Sequence, residues 1–170
     1  MAGKNALALV RVYVEIEKGS NMKYEFCKET EKLVLDRILP EPYQYPFAYG
    51  FVVDTKAADG DELDILIITD KQLKKDRYYN AYIVGVLIME DEKGMDEKVL
   101  CVLEEERELI KDFNDVSSDK LESIRSFFTH YKSKTPGKWS RVHDYQNEDF
   151  ALKLYNKYKL NNIIYLNSRQ

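Results

Sequence analysis

The segment Asp59-Gly60-Asp61-Glu62-Leu63-Asp64-Ile65 packs three aspartates and a glutamate into six residues, at the entrance to an apolar run. Carboxylates this dense serve either as solvated charge on a turn or as ligands for a hard cation. Solvated charge is the ordinary fate of any one Asp in such a turn. Asp64 argues for the second use, because it opens a segment that reads as a buried strand, and a carboxylate carried inward needs a partner. A second acidic pair, Asp91 and Asp96, brackets a turn between two further strand-like runs. Mg²⁺ prefers carboxylate oxygens and water, and keeps several of its waters. An EF-hand loop starting at Asp59 fails on detail: Leu63 would stand at its third ligand position, Asp64 at its required glycine and Asp70 at its closing glutamate. Zinc is a poor fit, since His130 and His143 are the only histidines and Cys27 and Cys101 lie far apart.

A cation site made of carboxylates repels an anionic substrate unless basic groups stand with it. Lys23 and Glu25 share one face of a strand, Arg37 lies at the end of the next, Lys98 begins a strand just after Asp96, and Tyr131-Lys132 closes a helix. Taken singly, each is an ordinary solvated charge. Interleaved with the acidic set on one small domain, they fit phosphoryl chemistry, where metals and Lys or Arg share the neutralisation of phosphate oxygens.

The elements that must position these groups are β for the first two thirds of the chain. Val10, Val12, Val14 and Ile16 alternate with Arg11, Tyr13, Glu15 and Glu17, the period of a half-buried strand. Lys18 to Asn21 reads as a turn, and Lys23 to Cys27 and Lys32 to Ile38 as two further strands. Leu39 to Pro46 holds three prolines and is a loop. Asp64 to Thr69 suits a buried strand, Tyr78 to Met89 a long one bent or bulged at Gly85, and Lys98 to Leu103 another. The last third reads as helix: Leu121, Ile124, Phe128 and Tyr131 recur at helical spacing behind Ser117, Ser118 and Asp119 as caps. Thr135-Pro136-Gly137 ends that helix, and Asn147 caps a final one carrying Ala151, Leu154 and Tyr158. The tail from Asn161 to Gln170 fits neither period. Short strands followed by two helices predict an α+β domain, mainly β, built on a small barrel.

Bulk properties agree. A chain of 170 residues suits one domain with a real core. A net charge of -4 lacks the basic excess of a general nucleic-acid binder. No apolar run reaches membrane-spanning length, and Ala6 to Val10 is too short for a secretory core. The cysteines, among apolar neighbours, read as unpaired strand positions, and a reducing cytoplasm is the expected location.

At this point the motifs resemble the soluble, magnesium-dependent inorganic pyrophosphatases. Asp59 to Ile65 fits the family signature Asp-x-Asp-(Pro or Glu)-apolar-Asp-apolar. Val14-Glu15-Ile16, Lys23-Tyr24-Glu25, Asp36-Arg37 with Tyr45-Pro46-x-x-Tyr49-Gly50, Gly85-Val86-Leu87 through Asp91, Asp96 and Lys98, and His130-Tyr131-Lys132 before Gly137-Lys138-Trp139 stand in the family order. The resemblance runs from about Val10 to Trp139. It implies one domain over residues 1–170, with a five-stranded, OB-like closed barrel and two flanking helices.

It also implies roles. Asp59, Asp64 and Asp96 would hold the tightest of several Mg²⁺ ions, and Asp64 would also touch a second ion that shares the nucleophilic water. Asp91 and Asp96 would hold one that arrives with substrate, and Glu25 a further one, with Glu15 supporting. Asp61 would be the general base. Lys23, Arg37, Tyr49, Lys98, Tyr131 and Lys132 would bind the oxygens of pyrophosphate and phosphate. The activity implied is hydrolysis of pyrophosphate to two orthophosphates by a metal-activated hydroxide. The compact length resembles the bacterial members, which implies a homo-oligomer, a hexamer. Three positions depart from the common pattern: Glu17 stands for Pro, Glu62 for Pro within the signature, and Phe51 for a second Tyr. Phe51 brings no hydroxyl to the metal surroundings.

Two other readings compete. An oligonucleotide-binding OB domain would use the 13 tyrosines as stacking platforms, but five aspartates on its groove would repel a phosphate backbone. A phosphatase for organic phosphates would share the metal chemistry and differ in substrate.

Overall fold

The computed structural model describes residues 9–160. The tail read from Asn161 to Gln170 lies outside this range, as does the Ala6–Val10 stretch up to residue 8. Among the described residues, nine strands and two α-helices make an α+β fold that is mainly β. The strands are β1 (Leu9–Ile16), β2 (Met22–Cys27), β3 (Lys32–Ile38), β4 (Ala48–Val52), β5 (Asp64–Ile67), β6 (Arg77–Asp91), β7 (Gly94–Met95), β8 (Lys98–Leu103) and β9 (Ser140–Gln146). Helix α1 covers Ser118–His130 and α2 covers Glu148–Tyr158. No described helix is long and apolar enough to cross a membrane.

Five strands pair in a ring: β1 with β4, β4 with β5, β5 with β8, β8 with β6, and β6 back to β1. Every pairing is antiparallel except β5–β8. Apolar residues on the two faces of the ring strands feed two clusters. Ile65, Ile67, Val99 and Cys101 join Val12 and Val14 beside Ala151 of α2. Leu66, Leu100 and Val84 meet Ile124, Phe127 and Phe128 of α1. A strand buried on both faces reads as a continuous apolar run, which is why Asp64 to Thr69 shows no alternation.

β2 and β3 form a separate two-stranded ribbon. At its base the Leu39 amide donates to Asn21 O at 2.7 Å and the Tyr45 amide to Ser20 O at 2.9 Å. The ribbon explains an apparent break in the β1 pattern. Tyr13 falls on the polar phase of the alternation, yet it is only 2% exposed. Phe26 of β2 meets its ring edge-on at 5.3 Å, Phe51 and Tyr78 lie at 5.3 and 5.1 Å, and its hydroxyl donates to Asp76 at 2.6 Å.

The helix caps stand where the sequence places them. The Ser117 side chain accepts from Lys120 N, and that of Asn147 from Phe150 N. The bend expected at Gly85 is a register shift in the β6–β8 pairing. Three strands escape the periodicity. β4 is buried on nearly all sides, carries a glycine and follows the prolines. β7 is two residues long. β9 lies in the third of the chain read as helical. It runs along the outer half of β6, and only Val142 and Tyr145 pack inward among polar neighbours, too few for a period. Both cysteines are free, Cys27 half-buried and Cys101 buried.

Candidate active site

The acidic segment is a turn between β4 and β5, tied to the ring by its own backbone. Thr55, 4% exposed, donates through its hydroxyl to Val52 O at 2.7 Å and accepts from Leu63 N at 2.9 Å. Gly60 has φ 91°, a conformation that side chains resist, so the turn needs glycine between the two aspartates. The Asp61 amide donates to Asp59 Oδ1 at 3.0 Å, and both side chains face solvent.

Asp64 opens β5 in register with Phe51 of β4. Lys98 opens β8, which lies beside β5. This neighbourhood makes one contact possible: the Lys98 ammonium, on a residue 2% exposed, donates to Asp64 Oδ2 at 2.7 Å, Asp96 Oδ1 at 2.9 Å and the Tyr49 hydroxyl at 2.9 Å. Its three donors are all used. Burial works against that ammonium, but Asp64, Tyr49 and Asp96 outweigh it and hold Lys98 protonated well above the ordinary lysine value. Burial holds Asp64 above the usual carboxylate range, against the pull of Lys98 and with the repulsion of Asp96. For Asp96 burial is overcome by Lys98, and its carboxyl is the one held down.

Two further lysine–carboxylate sets flank this one. Lys132, just past α1, donates to Asp91 Oδ2 at 2.9 Å and Glu92 Oε1 at 3.4 Å. Lys23 on the ribbon donates to Glu25 at 3.0 Å and Asp36 at 3.1 Å. Glu15 reaches the same space from β1 and accepts from Phe26 N at 2.8 Å. Burial pushes its carboxyl up to about 8, the Phe26 amide pulling the other way. Burial likewise raises the phenols of Tyr49 and Tyr131, so both keep their protons.

All of the residues given a site role from the sequence, except Arg37, line one cleft of about 320 Å³. Arg37 lies directly across the ribbon from Lys23. Its Nε is buried and meets no hydrogen-bond partner among the described residues. Tyr24, Tyr45 and Asp36 stand in the quoted motifs without a role, whereas Phe26, Lys93 and Met95 in the lining and Glu92 as a lysine partner escaped sequence reasoning. Glu92 also takes the Trp139 amide at 3.3 Å and Lys138 at 3.7 Å. Its one signal was adjacency to Asp91 in a charged turn.

The match to known proteins decides the family. The family model described as inorganic pyrophosphatase matches residues 12–161. The chain belongs to the inorganic pyrophosphatase family. An inorganic pyrophosphatase of Helicobacter pylori strain J99 is 41% identical over 150 residues, covering 86% of this chain and 87% of that protein. One of Campylobacter jejuni is 37% identical over 152 residues, covering 87% and 88%. The solved pyrophosphatase structure from H. pylori superposes with a TM-score of 0.86 at 38% identity, covering 90% of this chain and 92% of that one. That from Thermus thermophilus gives 0.84 at 35%, covering 88% of each. The chain is therefore an enzyme of the inorganic diphosphatase class, bacterial in type, and the match extends past Trp139, where the motif resemblance stops. The departures from the pyrophosphatase pattern each have a local partner. Glu17 accepts from Lys75 N at 3.0 Å, Glu62 pairs with Lys28 at 3.2 Å, and Phe51 packs against Tyr13 and Phe26.

Proposed function

We propose that this cleft hydrolyses pyrophosphate to two orthophosphates with several Mg²⁺ ions. The observation that carries the reading is Lys98 seated between Asp64 and Asp96: one carboxylate opening β5 and one in the loop before β8, with cation and anion sites alternating along one wall. The donor set fits magnesium. Every candidate ligand is a carboxylate oxygen, and among the described residues no thiol or imidazole lines the cleft. Among the described residues, no three such groups already stand close enough to form a complete cage, and magnesium needs few direct carboxylates because it keeps much of its water.

Asp59, Asp64, Asp91 and Asp96 would hold the ions, with Glu25 for a further one and Glu15 in support. Bound there, Mg²⁺ supplies Lewis acidity, making water a stronger acid and offsetting phosphate charge. Asp61, exposed and without a lysine partner among the described contacts, takes the proton of the attacking water. Lys23, Arg37 and Lys132 hold phosphate oxygens by charge. Tyr49 and Tyr131 keep their protons and donate hydrogen bonds to the same oxygens. Lys98 fixes Asp64 and Asp96, and with Mg²⁺ on those carboxylates its ammonium would be free to donate to substrate oxygens. We read the strand ring as an OB-like closed barrel whose rim carries this chemistry, in one domain spanning the chain. The enzyme works in the cytoplasm as a homo-oligomer, a hexamer, and binds neither nucleic acid nor membrane.

Phosphate release from pyrophosphate, followed while Mg²⁺ is titrated, tests this. Turnover rises from nothing in excess chelator, and Ca²⁺ blocks it, because the larger ion relaxes the geometry. Full turnover in chelator would remove the metal reading. Equal turnover of nucleotides or sugar phosphates would favour an organic phosphatase.

A further inference from the structure

We propose that the Lys28–Glu62 ion pair is a latch that sets the ribbon's distance from the acidic turn, with Glu62 a positioning residue for substrate binding. The inference rests on the pyrophosphatase reading of the cleft. The ribbon carries Lys23, Glu25 and Arg37, and the turn carries Asp59, Asp61 and Asp64, so the two halves of the cleft sit on separate pieces of sheet. No strand pairing joins β2 or β3 to the ring. The ribbon's base is fixed by backbone hydrogen bonds at Asn21 and Tyr45. Its middle is held by Phe26, through the bond to Glu15 and the ring contacts with Tyr13 and Phe51.

The far end, just past Cys27, meets the turn through Lys28 Nζ and Glu62 Oε1 at 3.2 Å. Glu62 lies between Asp61 and Asp64 in the chain and lines the cleft itself. The outer positions Val34, Leu35 and Ile38 of β3 are exposed. With the ribbon pinned at its base and at Phe26, cutting the ion pair releases the turn. The displacement falls on the turn and its aspartates, relative to Lys23 and Arg37, which pair beside the ribbon's fixed base. Glu62 occupies a position where many pyrophosphatases carry proline, which offers no carboxylate for such a tie.

Because the pair is partly exposed, cutting it leaves the fold standing and acts on binding. Glu62→Gln and Lys28→Gln each raise the KM for pyrophosphate about two- to fivefold at saturating Mg²⁺, the range exposed ion pairs give. kcat falls by less than KM rises, because most of the loss is shared by ground and transition states. The Lys28→Gln, Glu62→Gln double variant is no worse than the weaker single, since one tie is lost only once. Exchanging the charges, Lys28→Glu with Glu62→Lys, restores the wild-type KM. Unchanged KM in both single variants, multiplying losses in the double variant, or a fall in kcat alone would each overturn the latch. If the exchanged pair fails to fold by thermal melting, the glutamine cycle decides. Wild-type protein that releases no phosphate from pyrophosphate with Mg²⁺ would instead overturn the function on which the latch depends.

Discussion

Lys98 is the one ammonium shared by Asp64 and Asp96, so Lys98→Met leaves two like charges facing each other inside the cleft. Breaking a buried pair by removing one partner costs about 3–5 kcal/mol. Urea unfolding in chelator shows this loss in full. Added Mg²⁺ recovers part of it, because the cation takes over the neutralisation. An equal loss with and without Mg²⁺ would mean that the two carboxylates do not receive the metal. Asp61 and Asp64 differ in the same terms. Asp64 is half-buried and shared, whereas Asp61 is exposed on the turn. Asp64→Asn therefore raises the Mg²⁺ requirement and lowers turnover. Asp61→Asn keeps tight metal binding and loses about 10²- to 10⁴-fold in kcat at saturating metal, the usual cost of a lost general base. Calorimetric Mg²⁺ titration paired with rates across pH separates them. Wild-type turnover in Asp61→Asn would send the search for the base elsewhere.

Among the elements, β4 is the most constrained. A Cβ on Gly50 would stand 1.8 Å from Tyr13 O and 3.0 Å from Val14 Cα, backbone atoms with no room to yield. Gly50→Ala must therefore prise β4 from β1, at a cost of about 1–3 kcal/mol or more. It also displaces Tyr49 and Phe51, its neighbours in the cleft, so kcat falls with stability. Guanidinium melts showing a change under about 0.5 kcal/mol, within the range of an ordinary surface substitution, would contradict that crowding. α2 offers the contrast. Asn147 accepts from Phe150 N at 2.9 Å, and the helix packs away from the cleft. Asn147→Ala loses about 1 kcal/mol of stability, as N-cap removals do, and leaves kcat at 25 °C unaltered. A parallel fall in kcat would show that α2 communicates with the site.

For the whole molecule, the first question is assembly. Each chain weighs 20.0 kDa. Multi-angle light scattering at neutral pH with Mg²⁺ yields a mass near six chains, and a mass of one chain would refute the hexamer. His130 is exposed at the end of α1, available to a neighbouring copy, so His130→Ala shifts that equilibrium toward smaller species if α1 forms part of the contact. The same question bears on the apolar outer face of β3, which the isolated chain leaves in water.

Much of the chemistry was legible before any fold was known, because residue type and spacing are local properties. The aspartates of the turn, the strand that Asp64 opens, the caps at Ser117 and Asn147 and the irregularity at Gly85 all depend on near neighbours in the chain. Periodicity could not find β4 or β9, since one is buried almost throughout and the other is mostly polar. The burial of Tyr13 had no local signature either, because it depends on a ribbon that folds back over β1. What only the tertiary structure decided is pairing at a distance: the closure of β1 on β6, the parallel register of β5 with β8, and the meeting of Lys98 with Asp64, which are 34 positions apart. Such contacts are selected by mutual burial of surfaces that no window of sequence contains. They turn an inventory of charges into a cleft with an order of charge along its wall.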